Sequence, residues 1–332
     1  MKIPRWCLSG LCAAALLAPA SRAAAQAGKH AAADYPSKTV RLIVPFTPGA
    51  SNDITSRLIA AHLVHAWGQQ FVIDNRAGAG GVVGADTVAR ATPDGYTLLA
   101  SNPGPNVNNP IMLKKPTYRV EDFAAVVIYG YTPLIIAAHP AFAPRNPREL
   151  VEYLKTHPGK FSWGSTGTGG GAHIALALFQ AATGITVTHI PYKGAAPGLN
   201  ELAGGNIPLF YTTLVSADAL IKSARVRIIG VAAPTRLAQL PEVPTLIDHG
   251  IRNADAIIWY GLAAPAGTPP PVVAKLNREV NRIMTMPEVR TRFSQLGLEA
   301  FGGTPAEAEK FIRAEVARLK ELMQTGLISA LD

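Results

Sequence analysis

The chain has 332 residues, with 31 Lys or Arg against 22 Asp or Glu, and its formal charge is +9. The positive residues are scattered: no run of five or more exists, and aromatic residues do not interleave with them. This pattern argues against a nucleic-acid partner despite the positive charge.

Residues 1–25 predict a secretory signal peptide. Lys2 and Arg5 precede the apolar run Cys7–Ala20, and the small residues Ala23–Ala25 follow it. A basic start, a short apolar run and a small-residue exit are typical of such signals, and the run is shorter than the roughly 20 residues of a spanning helix. We expect cleavage near Ala25, a periplasmic location and no membrane insertion after cleavage.

Both cysteines, Cys7 and Cys12, lie within this signal. A lipid-attachment site needs a small residue before the cysteine, and Leu11 is not small, so no lipid anchor is expected. Loss of Lys2, Arg5 and Arg22 with the signal leaves a charge of 9 − 3 = +6. The mature chain, about 307 residues long, has no disulfide or thiol chemistry but is long enough for two domains.

Strand and helix patterns alternate along the mature chain. The first strand, Val40–Val44, leads through a loop to a helix that Asn52 or Asp53 could cap. Further strands are predicted at Phe71–Ile73 and Tyr96–Ala100, and a similar alternation continues beyond residue 140. This order favours α/β lobes, each with a mostly parallel sheet flanked by helices.

Two apolar strands are expected to cross between lobes. Pro133–Ala138 would carry the chain into the second lobe, and Ala256–Ala263 would carry it back. The predicted fold is a two-lobed periplasmic-binding-protein fold of type II-like form with a ligand cleft between the lobes. Lobe 1 is discontinuous, residues 35–136 plus 260–332, and lobe 2 is residues 137–259.

Two loops stand between a strand and a helix, Pro45–Asp53 in the first lobe and Gly164–His173 in the second. The start of a helix presents unpaired N–H groups and the positive end of its dipole, which suits an anion. Glycines let a ligand approach the backbone closely. One such loop is most simply a tight turn, but a pair with one member in each lobe favours a shared cleft.

Six segments carry a resemblance to a known family. They are Tyr35–Phe46 with Pro48, Gly49 and Asp53; Asp74–Gly81; Pro93–Leu99; Ile190–Gly194; Leu240–Thr245; and Ala264–Pro269. In this order they resemble the tripartite tricarboxylate transporter receptors, the Bug or TctC-like extracytoplasmic proteins. The resemblance implies a receptor that clamps a ligand carboxylate by backbone N–H groups, Ser and Thr hydroxyls and ordered water.

The resemblance also implies which residues contact the ligand. These candidates are Phe46, Pro48, Gly49, Ala50, Ser51 and Asp53; Ser165, Thr166, Gly167, Thr168, Gly169 and His173; and Ser101, Asn102, Tyr192, Lys193 and Thr212. Three departures from the family pattern bear on ligand identity. Ala50 stands where a second glycine is usual, Asn108–Pro110 follows an unusual Pro103–Pro105, and Phe210–Thr213 replaces an acidic or Asn-bearing segment.

Three enzyme or metal interpretations are weaker. Gly78–Gly84 has the spacing G-x-G-x-x-x-G, one residue too long for a dinucleotide fingerprint, and lacks its later acidic residue. A hydrolase using Ser165 and His173 lacks the nucleophile elbow, because Trp163 occupies the position of its first glycine. His62 and His65 have no third ligand in sequence to complete a metal site.

The sequence therefore predicts a non-enzymatic, monomeric receptor without cofactor or metal. Its ligand would be a small carboxylate: an organic acid, an amino acid or an aromatic acid. Its partners would be the membrane subunits of a tripartite tricarboxylate-type transporter. A receptor of the same fold that serves a signalling system remains an open alternative.

Overall fold

The computed structural model describes residues 34–331, so the predicted signal peptide lies outside the described residues. Within the described part, no helix combines the length and apolar character needed to cross a membrane. The strands are β1 (Val40–Val44), β2 (Phe71–Asn75), β3 (Thr97–Ser101), β4 (Phe123–Ala138), β5 (Ser162–Ser165), β6 (Thr188–Pro191), β7 (Leu209–Thr213), β8 (Arg227–Val231), β9 (Ile257–Pro265) and β10 (Glu299–Ala300).

Helices flank these strands. They are α1 (Ser51–Trp67), α2 (Val82–Ala89), α3 (Asn109–Met112), α4 (Pro147–Lys155), α5 (Gly171–Thr183), α6 (Ala195–Ala203), α7 (Leu214–Lys222), α8 (Pro270–Thr285), α9 (Pro287–Gln295) and α10 (Pro305–Gln324). A π-helical turn, Gly104–Asn108, precedes α3. At the start of α4, Asn146 caps the helix by accepting the N–H of Glu149, and Pro147 takes the first position.

The first sheet has the strand order β2-β1-β3-β9-β4, with β10 at the outer side of β4. Strands β1, β2 and β3 are parallel, whereas β9 runs antiparallel to both β3 and β4. In the second sheet β5, β6 and β7 are parallel, and β7 and β8 run antiparallel to β4. Both sheets are thus more mixed than the expected mostly parallel arrangement, because the crossing strands oppose their neighbours.

Strand β4 links the two sheets. Its first part, Phe123–Pro133, pairs with β9, and its second part, Leu134–Ala138, pairs with β7 and β8. The chain returns at Ala256, which still bonds to the second sheet, since its carbonyl accepts the N–H of Leu134 and its N–H donates to the carbonyl of Ala232. The next residue, Ile257, pairs with Pro133 in the first sheet. The points at which the chain passes from one sheet to the other lie a few residues before the predicted lobe boundaries. Strand β4 begins ten residues earlier than the predicted crossing strand.

Each sheet has its own apolar core. In the first, Leu42, Leu98 and Tyr260 pack with Leu276 of α8 and Phe293 of α9. In the second, the rings of Trp163 and Tyr211 stack with centroids 5.0 Å apart, and Phe179 of α5 packs on both rings. These cores hold the strand ends, and with them the following loops, in fixed positions.

Candidate functional site

A narrow cleft lies where the two sheets meet, and its wall combines residues from both lobes. The lining residues are Phe46, Ala50, Ser51, Asn52, Asn102, Leu134, Thr166, Gly171, Ala172, Ala195, Thr212, Thr213, Ser216 and Ile258. None of them has an ionisable side chain. The cavity encloses about 40 Å³, which is room for a few water molecules.

Several helix starts face this cleft. Asn52 lies in the first turn of α1, Gly171 and Ala172 begin α5, and Ala195 begins α6. Their backbone N–H groups belong to the first turns, where no intrahelical acceptor exists. We find no acceptor for these four groups among residues 34–331. Together with the helix dipoles they make the cleft electropositive without a cationic side chain.

Hydroxyl groups complete the polar wall. Ser51 Oγ accepts the Tyr260 hydroxyl at 2.7 Å. Ser216 Oγ accepts both the Ser51 N–H at 3.0 Å and the Thr213 hydroxyl at 3.1 Å. Because these oxygens already accept, the hydroxyl protons of Ser51 and Ser216 are available to donate to a bound anion. Thr212 is buried, and its Oγ1 has no partner in the described chain.

Gly49 and Asp53 lie outside the cleft lining, although the sequence placed both among the candidate contacts. The Gly49 N–H donates to Asp53 Oδ2 at 3.0 Å, so it is already used within the loop. Burial by itself would raise the pKa of Asp53, but hydrogen bonds from Arg57, Gly49 and Asn75 hold it below its usual value. Asp53 therefore braces the loop that leads into α1. The predicted capping role of Asn52 or Asp53 is wrong, because Ala50 occupies the N-cap position.

Ser165 and His173 do not form the pair considered from sequence. Ser165 Oγ is hydrogen-bonded to His189 Nε2 at 2.6 Å, and His173 Nδ1 accepts the Gly169 N–H at 3.2 Å. The two imidazole rings stack with centroids 4.2 Å apart. Burial and the neighbouring His173 lower the pKa of His189 to about 4, so the imidazole is neutral at pH 7. Ser165 is fully buried and does not line the cleft.

The glycines of the second loop contact the other lobe. A Cβ at Gly80 would lie 2.0 Å from the carbonyl oxygen of Thr168, and one at Gly169 would lie 1.9 Å from Asn109 Oδ1. Both glycines have left-handed backbones, with φ of +61° and +75°. We call this contact, made by Gly80 and Asn109 on one side and Gly167–Gly169 on the other, the lobe seam. Gly167, Thr168 and Gly169 thus lie at the seam rather than in the cleft lining.

Of the remaining candidate ligand contacts, some line the cleft and others lie outside it. Phe46, Ala50, Ser51, Asn102, Thr166 and Thr212 line the cleft. Pro48 and Lys193 are exposed outside it, Ser101 is buried behind it, and the ring of Tyr192 packs edge-on against Phe210. In the rejected dinucleotide motif, Gly80 and Gly81 lie in the turn Ala79–Gly81, and Gly80 also belongs to the lobe seam. Gly84 packs closely against Pro45.

Eight cleft residues were not among the individually named candidate contacts: Asn52, Leu134, Gly171, Ala172, Ala195, Thr213, Ser216 and Ile258. Asn52, Gly171 and Ala172 lie within the candidate loops Pro45–Asp53 and Gly164–His173, so the sequence did indicate their segments. Ser216 and Ile258 have no local signal, since they reach the cleft only through the long-range pairing of the strands.

A known protein family matches most of this chain. The profile described as "Tripartite tricarboxylate transporter family receptor" matches residues 55–327. The chain belongs to this receptor family. The predicted membership of the Bug and TctC-like receptors is therefore confirmed.

Solved structures of periplasmic binding proteins share the fold. The periplasmic binding protein BugD is 32% identical, with 89% of this chain and 100% of that chain covered and a TM-score of 0.84. An R. palustris protein solved with adipate is 31% identical, with 90% and 100% covered and a TM-score of 0.87. MatC from Rhodopseudomonas palustris with bound malate is 30% identical, with 87% and 99% covered and a TM-score of 0.82. The two-lobed α/β fold predicted from sequence is thus confirmed.

Proposed function

We propose that the mature chain captures a small carboxylate in this cleft and delivers it to a tripartite tricarboxylate-type membrane transporter. The observation that carries the proposal is the wall of the cleft: hydrogen-bond donors from both lobes converge there, and no carboxylate side chain is among the lining residues. Such a wall favours an anion and fixes its orientation by geometry. The adipate and malate bound to the two R. palustris proteins support the carboxylate class.

Delivery to a transporter, periplasmic location and a monomeric state belong to the same proposal. The description of the matching family supports the transporter in preference to a signalling partner. The signal-like pattern of residues 1–25 supports export.

Binding without turnover is also part of the proposal. Hydrolysis would need a nucleophile that meets the ligand, but Ser165 is buried behind the loop and hydrogen-bonded to His189. Within residues 34–331, the cleft-lining hydroxyls of Ser51, Ser216 and Thr212 have no histidine partner. The arrangement therefore holds an anion but offers no activated nucleophile beside it.

A thermal-shift comparison of succinate with succinamide tests this function. The two molecules have nearly the same shape, but only succinate is anionic. At a concentration of roughly 100 times the dissociation constant, binding stabilises the native state by about 2.7 kcal/mol, which raises the Tm of a protein this large by about 5 °C or more. We expect carboxylates such as succinate, malate or adipate to give this rise, and succinamide to give none.

Mass spectrometry of the same samples should return the acid unchanged. Equal Tm shifts with succinamide, no shift with any of the carboxylates, or accumulation of a product in excess of the protein would each contradict the proposed function.

A further inference from the structure

A second and larger cavity lies on the side of the first sheet that faces α10. It encloses about 240 Å³, and its apolar wall is formed by Val120, Phe123 and Ala125, by Ala263 of β9 and by Ile312 of α10. An apolar cavity of about 150 Å³ is enough to bind benzene in another protein. The space here therefore exceeds the volume that one aromatic ring requires.

Two small side chains on neighbouring strands leave space for this cavity. Ala125 of β4 and Ala263 of β9 are direct cross-strand partners, and both are buried. Larger side chains at this pair would fill the space beneath Ile312. The neighbouring residue Ala124 pairs with Ala264 on the opposite face of β4 and does not line the cavity.

One buried polar side chain faces the cavity. Asn106 is only 2% exposed and lies in the π-helical turn Gly104–Asn108. Its Oδ1 accepts the backbone N–H of Asn102 at 3.2 Å, which fixes the orientation of the amide, because an N–H donor requires the oxygen. Among residues 34–331, this is the one hydrogen bond that the Asn106 side chain makes, and its NH₂ group donates to no protein acceptor. It can therefore donate to a molecule in the cavity.

The charges at the mouth select against a second anion. Glu121, Glu309 and Arg313 are exposed there, and Arg313 pairs with Glu309 at 3.4 Å. Two carboxylates thus accompany one guanidinium, which leaves an acidic excess. A carboxylate guest would meet this negative charge and would also lose its hydration on entering an apolar space.

We propose that this cavity is a second binding site, for a small neutral molecule with a ring-sized apolar body and one hydrogen-bond acceptor, such as an aryl ketone or aldehyde. The apolar wall takes the body of the molecule, and the Asn106 NH₂ donates to its carbonyl oxygen. Because Asn106 is hydrogen-bonded to Asn102, which lines the central cleft, the second site adjoins the proposed carboxylate site through this pair of residues.

Methyl NMR of the mature protein, with the Ile312 methyl group as reporter, tests the site with three probes. Acetophenone has the proposed body and acceptor, toluene lacks the acceptor, and benzoate is an anion of similar size. Acetophenone should shift the Ile312 signal saturably. Toluene should bind about tenfold more weakly, as expected for one lost hydrogen bond. Benzoate should require at least a tenfold higher concentration than acetophenone to shift the Ile312 signal.

A matched pair of variants locates the binding. Ala125→Val fills the cavity and should weaken the acetophenone effect at least tenfold, whereas Ala124→Val on the opposite face should leave it within twofold. Tm values of both variants establish that they remain folded. An Ile312 signal that does not respond to acetophenone would overturn the proposal, as would equal affinities of the two variants or tighter binding of benzoate. None of these outcomes depends on whether the central cleft binds carboxylates.

Discussion

Gly80→Ala should prevent the lobes from closing and should weaken carboxylate binding by at least tenfold. The added Cβ would lie 2.0 Å from the Thr168 carbonyl oxygen, which belongs to the backbone and cannot rotate away. The lobes could meet only by shifting at the seam, which would displace the start of α5 from the start of α1. Because closure then costs free energy, a smaller fraction of molecules reaches the closed state. The apparent affinity for the ligand falls in proportion to that fraction.

Gly68→Ala is the control for this variant. Gly68 lies in the same lobe, its φ of +69° is close to the +61° of Gly80, and no atom lies within 4 Å of an added Cβ. Both alanines therefore bear a similar left-handed strain, of about 1 kcal/mol, but only one meets the other lobe. Small-angle scattering with saturating succinate should show a reduced radius of gyration for the parent and for Gly68→Ala. If Gly80→Ala contracts and binds like the control, the seam does not govern closure.

Thr212→Asp should abolish most carboxylate binding at pH 7. Thr212 is 1% exposed and lines the cleft, so the new carboxylate would share a small, poorly hydrated cavity with the ligand. Two like charges about 5 Å apart at an effective dielectric constant of about 20 repel by roughly 3 kcal/mol, which corresponds to about 100-fold in affinity. The loss should diminish as the pH falls and the introduced carboxyl group takes up a proton.

Thr212→Asn separates charge from shape in this experiment. Asparagine has nearly the outline of aspartate and can still donate a hydrogen bond, so it should retain affinity within about tenfold of the parent. Calorimetric titration with succinate measures both variants, and their Tm values without ligand verify folding. Equal affinities of Thr212→Asp and Thr212→Asn would mean that the carboxylate does not bind near Thr212.

The sequence predicted those features of the fold that arise from local patterns. Strand and helix alternation, the capping of α4 by Asn146 and the two loops at strand ends all follow from neighbouring residues. The start of α1 was predicted incorrectly, because Asp53 pairs with Arg57 and with Asn75, which lies 22 residues away, and leaves the cap position to Ala50. This tertiary contact outweighs the local preference for a polar cap.

The candidate site was only partly predictable for a related reason. A glycine permits close approach of any group, so the sequence of Gly167–Gly169 cannot distinguish a ligand from an opposing lobe. Similarly, the contact between the Ser51 N–H and Ser216 Oγ joins residues 165 positions apart, and no spacing rule indicates it. Such contacts depend on how β4 and β9 bring the two sheets together.

In the proposed site, backbone N–H groups at the starts of α1 and α5 hold the anion. The most direct measurement is a titration of the ¹⁵N-labelled mature protein with succinate, with the amide signals of Asn52, Gly171 and Ala172 assigned. These three amides should shift downfield saturably and with one common dissociation constant, and succinamide should not reproduce the effect. Saturable binding of succinate that leaves all three amides unchanged would contradict the proposed site.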